Sequence, residues 1–308
     1  MNQGVLCYLF ACVFWGANLP LTARLFTAFD PFFMAALRVL LAAGVLALLW
    51  RFQREADRPA LGLTPGRYAL MSGLMAGFFI LYNLGLKFTH PITAAAIIAG
   101  VPVYAALTMR LATGARLERG FVGAAVLTLI GAGIAIWGRA TDTGQGLRLQ
   151  GGEPLLVLAL VCWTLYSIYA QRFFAPGVTQ LRRTLVAITG ALPWMIGCWL
   201  LMWATGVTGP PLLVVDRWAV VWLLVTAVFS TALSGYAWNI GVNRIGLAAG
   251  SLWQNTVPVF GVLIALLFGI LPTLEQLLGG VVVMAGVLYM QWQKSRPASR
   301  DQDVAKAP

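Results

Sequence analysis

Residues 83–102 read NLGLKFTHPITAAAIIAGVP, and residues 239–258 read NIGVNRIGLAAGSLWQNTVP. Asn83-x-Gly85 returns as Asn239-x-Gly241, and Val101-Pro102-Val103 returns as Val257-Pro258-Val259. The offset is 156 in both cases (83 to 239, 102 to 258), and it also pairs Leu107 with Leu263 and Gly123 with Gly279. One offset held across several separate features marks a duplicated unit rather than a chance tripeptide. Upstream, Trp15 matches Trp163 and Arg24 matches Arg172, both 148 apart, so the second copy gains eight residues before its third helix.

The 308 residues are 60% hydrophobic and only 10% charged, against about 25% charged in a soluble chain. The fold class that follows is an all-α polytopic membrane protein. A helix needs about 20 apolar residues to cross the bilayer. Ten such segments are readable, at 4–23, 32–50, 68–87, 92–109, 120–138, 154–172, 184–204, 218–238, 251–270 and 276–293. They form two five-helix repeats, 4–138 and 154–293, followed by a polar stretch, 294–308, with the composition of a disordered cytoplasmic tail. Cys7, Cys12, Cys162 and Cys198 all lie in apolar segments without a CxxC, and there is one His, so no metal site, disulfide or cofactor is expected.

Fifteen of the 21 Lys and Arg fall in 51–67, 110–119, 172–183, at Arg244 and in the tail, and five (Arg24, Lys87, Arg139, Arg148, Arg217) fall on the other side. Cationic loops stay in the cytoplasm, which places both termini there. The net charge of +11 thus reports membrane orientation, and no nucleic-acid partner is expected. A unit of five helices is odd, so its second copy enters the membrane inverted. Inverted repeats recur in secondary transporters, with the substrate near the midplane between the halves.

Trp15-Gly16-Ala17-Asn18 in the first helix, Asp30-Pro31 with Arg38 in the second, and the stretch from Asn83 to Pro102 with its copy from Asn239 to Pro258 resemble the drug/metabolite transporter superfamily, in its EamA-type members with ten helices. Tyr236-Ala237-Trp238-Asn239, Gly250-Ser251 and Pro258 are most similar to YddG-type exporters of aromatic amino acids. That resemblance implies a multi-pass protein of the bacterial inner (plasma) membrane that moves aromatic amino acids or related metabolites outward. It also implies a cavity lined mainly by helices one, three, four, six, eight and nine. The first copy departs from the pattern, because Ala94-Ala95-Ala96 offers few polar groups.

Arg38 is the one ionisable residue well inside a span. A charge there is costly and marks a site by default; it draws a substrate carboxylate, pairs with a helix C-terminus, or snorkels to the outer end of its helix. Asp30, Glu118, Glu153, Asp216 and Glu275 all sit near segment ends, so a buried carboxylate proton relay is not expected; a facilitator, or coupling through some other residue, is. The substrate-binding candidates are Arg38 and the aromatic and amide residues Trp15, Asn18, Tyr82, Trp163, Tyr166, Tyr236, Trp253, Gln254 and Asn255. Rings stack on an aromatic substrate and hold its ammonium by cation–π contact, and amides meet its polar ends without net charge. The competing reading for the rings is an interfacial belt.

Pro102 and Pro258, inside helices four and nine, each remove a backbone hydrogen bond and read as hinges. His90, before Pro91 at the outer turn, reads as a pH-sensitive gate or a hydrated surface group. Asn83 and Asn239 read as helix-end residues. The expected partners are a small neutral, aromatic-type substrate and the lipid bilayer, with no oligomer required. A phosphate-sugar or nucleotide-sugar exchanger would want paired cations, where only Arg38 qualifies. A polytopic membrane enzyme would want a catalytic constellation, which one His, few acids and short loops do not supply.

Overall fold

The computed structural model describes residues 2–53, 59–89, 91–118, 120–144, 149–269 and 271–295. His90 and the stretch 296–308 lie outside the described residues. The apolar segments form helices, and polar residues at their starts explain the boundaries. α1 (Gln3–Leu25) begins where the Asn2 side chain accepts from the Gly4 N–H at 2.9 Å. α2 (Pro31–Phe52) is capped by Asp30, which accepts from the N–H groups of Phe32 and Phe33 at 3.0 Å each. Pro31 fills the first position, where a missing N–H costs nothing. α3 (Pro65–Lys87) repeats this grammar with Thr64 and Pro65. α4 (Pro91–Ala99), α5 (Val101–Thr113) and α6 (Phe121–Thr143) complete the first half of the chain.

In the second half, α7 (Glu153–Arg172) and α8 (Gln180–Ala204) are followed by α9 (Arg217–Val225). α9 continues through a π-helical segment, Thr226–Leu233, into α10 (Ser234–Ile245). α11 (Leu247–Gln254), α12 (Val257–Ala265) and α13 (Leu274–Ser295) follow, with a 3₁₀ turn, Leu266–Phe268, after α12. Among the described residues eight helical stretches are long and apolar enough to cross a membrane. The bent pair α4–α5 makes a ninth if it is one span, and α13 carries a shorter apolar run, Leu274–Met290.

Three expectations need correction. The eighth segment does not end near 238. It runs unbroken from Arg217 to Ile245, because the amides that lower its hydropathy, Asn239 and Asn243, bond to α7 and α8. Arg183 is not a loop charge but a buried residue in the first turn of α8. Pro102 and Pro258 do not kink continuous helices. Helix four is broken at Gly100, with a 48° bend, and helix nine is interrupted at Asn255 and Thr256. Each proline sits in the first turn of the half-helix that follows the break, where it removes no intrahelical bond.

The helix contacts follow a reciprocal pattern. α1 lies against α10 and α12, while α7 lies against α3 and α5. α2 packs on the π-helical segment as α8 packs on α3. α2 also packs on α8, and α6 on α13. Outside this core, large apolar side chains such as Leu48, Phe52, Leu111, Trp137 and Leu267 stand exposed. Such a surface suits lipid and not water.

Candidate functional site

Near the middle of the bundle, aromatic rings from four helices meet. Trp15 of α1 contacts Trp163 of α7 at 5.6 Å between ring centroids and Trp238 of α10 at 5.4 Å. Trp163 and Trp238 contact each other at 5.6 Å. Phe78 of α3 lies 4.9 Å from Trp163 and 5.6 Å from Tyr82. Tyr166 stands 5.6 Å from Trp163, and Tyr8 stands 5.0 Å from Trp238. These tilted and edge-on arrangements are the ones favoured by the ring quadrupole.

Backbone geometry fixes the cage. A π-helical turn leaves carbonyls free of their usual partners, and such turns cluster at functional sites. Here the Ser230 carbonyl accepts the Trp15 indole N–H at 2.9 Å, and the Ser230 hydroxyl donates to the Phe14 carbonyl at 2.8 Å. Trp238 donates to the Ser167 hydroxyl at 3.1 Å. Asn239 donates to the Tyr166 hydroxyl at 2.9 Å and to Thr184 at 2.8 Å. It therefore ties α10 to α7 and α8 from within its helix, not at the helix end the sequence suggested. The Trp163 indole N–H is buried and unpartnered.

Toward the end of the bundle where α2 begins lies a polar cluster. Arg38 is 9% exposed. Its Nη1 donates to Asn18 Oδ1 at 3.0 Å and to Thr22 Oγ1 at 3.4 Å, and Thr22 donates to Asn18 at 3.1 Å. Tyr82 is close enough to interact with Arg38 electrostatically. Arg38 Nε is buried without an acceptor. Pro31 to Arg38 is about 10 Å of helix at ~1.5 Å per residue.

The helix breaks meet as well. Asn255 donates its amide to the Ala99 carbonyl at 3.1 Å, and these residues are 156 apart in the chain. That is the repeat offset. Trp253 is buried beside this break, where its carbonyl accepts from Cys12 and Thr256 and its indole N–H is unpartnered. Gln254 ends α11, half-buried. Tyr236 joins no ring contact among the described residues and lies near Cys7 of α1. So Trp15, Trp163, Tyr166 and Tyr82 are brought together, Asn18 and Arg38 form the adjoining polar cluster, Trp253 to Asn255 line the break, and Tyr236 stands apart.

Sequence reasoning passed over Trp238, Phe78, Tyr8 and Thr22. For Trp238 a signal was present, since the 156 offset makes it the counterpart of Tyr82. The Asn-x-Gly motif also finds its reason. A Cβ on Gly241 would lie 2.5 Å from Tyr8 Cε1, and one on Gly85 would lie 2.7 Å from Leu156 Cγ. Gly85 and Gly241 match at 156, and Tyr8 and Leu156 match at 148. The fully buried Tyr8 of α1 is thus seated on a glycine of α10, and the fully buried Leu156 of α7 on a glycine of α3.

The family match covers the two halves, at residues 2–137 and 150–292, with the EamA-like transporter family. The chain belongs to that family. It is a multi-pass membrane transporter of the drug/metabolite superfamily. It is similar to the uncharacterized transporter YyaM of Bacillus subtilis (strain 168), 27% identical over 278 residues, covering 90% of this chain and 89% of that one. It is also similar to the uncharacterized transporter YdeK of the same organism, 26% identical over 268 residues, covering 82% and 83%. A crystal structure of a protein 21% identical superposes with a TM-score of 0.76 over 94% of this chain and 96% of that one, which shows the shared fold.

Proposed function

We propose that this transporter exports aromatic and other neutral amino acids, or related small metabolites, across a bacterial plasma membrane by alternating access between two inverted five-helix halves. The observation that carries this reading is the aromatic cage of Trp15, Trp163 and Trp238, which draws rings from both halves to mid-bundle beside a polar cluster. That is the shape of a small amphipathic ligand: a flat apolar body with one polar end.

Several features support the inverted architecture, with both termini cytoplasmic. The packing exchanges partners when the halves are exchanged. The family match falls on each half separately. The Asn255–Ala99 bond joins residues at the repeat offset, and two equivalent positions touch only on an axis relating the copies. Ten spans follow when α4–α5 and α13 each cross once. Tyr8 on Gly241 and Leu156 on Gly85 then form the closures at opposite ends, and the breaks before Pro102 and Pro258 are the hinges that exchange them. Half-helix ends meeting in mid-bundle are the usual neighbours of a transporter's substrate.

The test is flux in vesicles containing only this protein, with labelled Trp, Phe and Thr, with and without an imposed pH gradient. The reading expects saturable, mutually competing transport that persists without the gradient. Trp163→Ala and Gln254→Ala should both reduce it without loss of folded protein. Normal transport in both variants would remove the cage and the break from the site.

A further inference from the structure

We propose that Arg38, with Asn18, Thr22 and Tyr82, receives the carboxylate of an aromatic monoanion, so that the preferred cargo lacks the ammonium of an amino acid and leaves the cell driven by the membrane potential. The proposal rests on the reading of the cage as the transport site and names its substrate class.

The argument is one of charge. The guanidinium is buried, and its hydrogen-bond partners are neutral: Asn18 at 3.0 Å and Thr22 at 3.4 Å. No acid with a described side chain answers it. Asp30 is engaged by the Phe32 and Phe33 N–H groups, Asp216 by the Ala219 N–H, and Glu153 by the Gln150 and Gly151 N–H groups. A buried cation without an anion is costly to hold, and Nε still lacks an acceptor. A carboxylate supplies both the missing charge and the missing acceptor, in the geometry a guanidinium fork prefers.

From Arg38 the rings lead inward. Tyr82 lies near the guanidinium, Phe78 stands 5.6 Å from Tyr82, and Trp163 stands 4.9 Å from Phe78. A molecule with a carboxylate at one end and an aromatic body at the other fits this order. An amino acid would add an ammonium next to its own carboxylate, and hence beside the guanidinium. Like charges repel there, and the site would keep a net positive charge. An aromatic 2-oxo or 2-hydroxy acid leaves it neutral.

The same charge supplies the driving force. Export of one monoanion carries one negative charge outward, which an inside-negative potential favours. At about 100 mV the equilibrium ratio shifts about fifty-fold. No proton relay is needed, in keeping with acids confined to segment ends.

The test uses the purified full chain in vesicles loaded with phenylpyruvate or with phenylalanine, which share a skeleton and differ in the ammonium. Valinomycin and potassium set the interior negative, neutral or positive, and protein-free vesicles give the background. The expected result is saturable phenylpyruvate efflux, at least about tenfold faster than phenylalanine, quickened by an inside-negative potential and slowed by the opposite one. Arg38→Gln should lose at least about tenfold of it, while Arg38→Lys keeps the potential dependence at weaker affinity. Phenylalanine outrunning phenylpyruvate, or phenylpyruvate efflux indifferent to potential, would overturn the anion proposal and leave the transport site standing. Unchanged efflux in Arg38→Gln would remove Arg38 from the site. No protein-dependent flux of either compound would overturn this proposal and the aromatic reading together.

Discussion

Arg38 and Arg183 are the same residue at the same solvent exposure, 9% each, on two helices, α2 and α8, that pack against one another. Their surroundings differ. Arg183 donates from Nε to the Val178 carbonyl at 3.0 Å and from Nη1 to the carbonyls of Ala170 and Gln171 at 3.3 and 3.1 Å. Its guanidinium also lies 5.5 Å from the Phe174 ring centroid. Ala170 and Gln171 belong to the last turn of α7, where carbonyls lack intrahelical donors and the helix dipole is negative. The charge of Arg183 is thus answered by backbone. That of Arg38 is met by one amide and one hydroxyl, and its Nε by nothing. Burial alone does not distinguish a fold-holding cation from a ligand-receiving one; the partners do.

The sharpest way to break this contrast is Arg38→Gln. The amide can still reach Asn18, so the fold loses little, and removal of an uncompensated buried charge is neutral or stabilising. The expected outcome is an unchanged or higher melting temperature with flux reduced ten- to hundredfold, the worth of about 1.5–3 kcal/mol for charge-assisted hydrogen bonds. A large drop in melting temperature would make Arg38 a second Arg183. The reverse pattern is expected of Arg183→Gln. Three carbonyls lose their donor, so stability should fall by about 1–3 kcal/mol in denaturation measurements, with flux per folded molecule within about twofold of the parent. Arg38→Lys sits between them: it keeps the charge and loses the planar fork. About a tenfold rise in KM with little change in maximal rate is expected, about 1.4 kcal/mol.

This contrast also measures what the sequence could say. Apolar runs made the helices legible, because transfer to lipid is a local property; the caps Asp30-Pro31 and Thr64-Pro65, which set where α2 and α3 begin, went unread. The repeat exposed Trp15 and Trp163 as a matched pair. It could not say that they touch, since contact depends on how two distant helices lie. Arg183 was counted with the loop charges because hydropathy treats a guanidinium as wet wherever it lies, and only the Ala170 and Gln171 carbonyls change that. The π-helical turn at Thr226–Leu233 has no signature of its own period in the sequence. Yet its Ser230 carbonyl orients Trp15. Asn239 was misjudged for a related reason: an amide near the end of an apolar run reads as a boundary, although its partners on α7 and α8 allow the helix to continue past it.

A neutral bond between the halves sets the lower end of the scale. Asn255 and Ala99 hold the two helix breaks together with one amide-to-carbonyl bond of 3.1 Å and no net charge. Such a bond is worth about 0.5–1.5 kcal/mol, less than a charge-assisted one. Asn255→Ala frees the Ala99 carbonyl and removes a tie between the two breaks. In an alternating cycle the bond stabilises only the conformations that contain it, so its loss shifts populations by at most its own worth, about threefold to tenfold. The measurement is the ratio of uptake to efflux rates at saturating substrate, taken in vesicles of one orientation. A change of that size in the ratio, with the phenylpyruvate-to-phenylalanine preference intact, would place the breaks in the conformational cycle and the selectivity at Arg38. A lost preference would instead put the break in contact with the substrate, and the division between a neutral hinge and a charged receptor would fall.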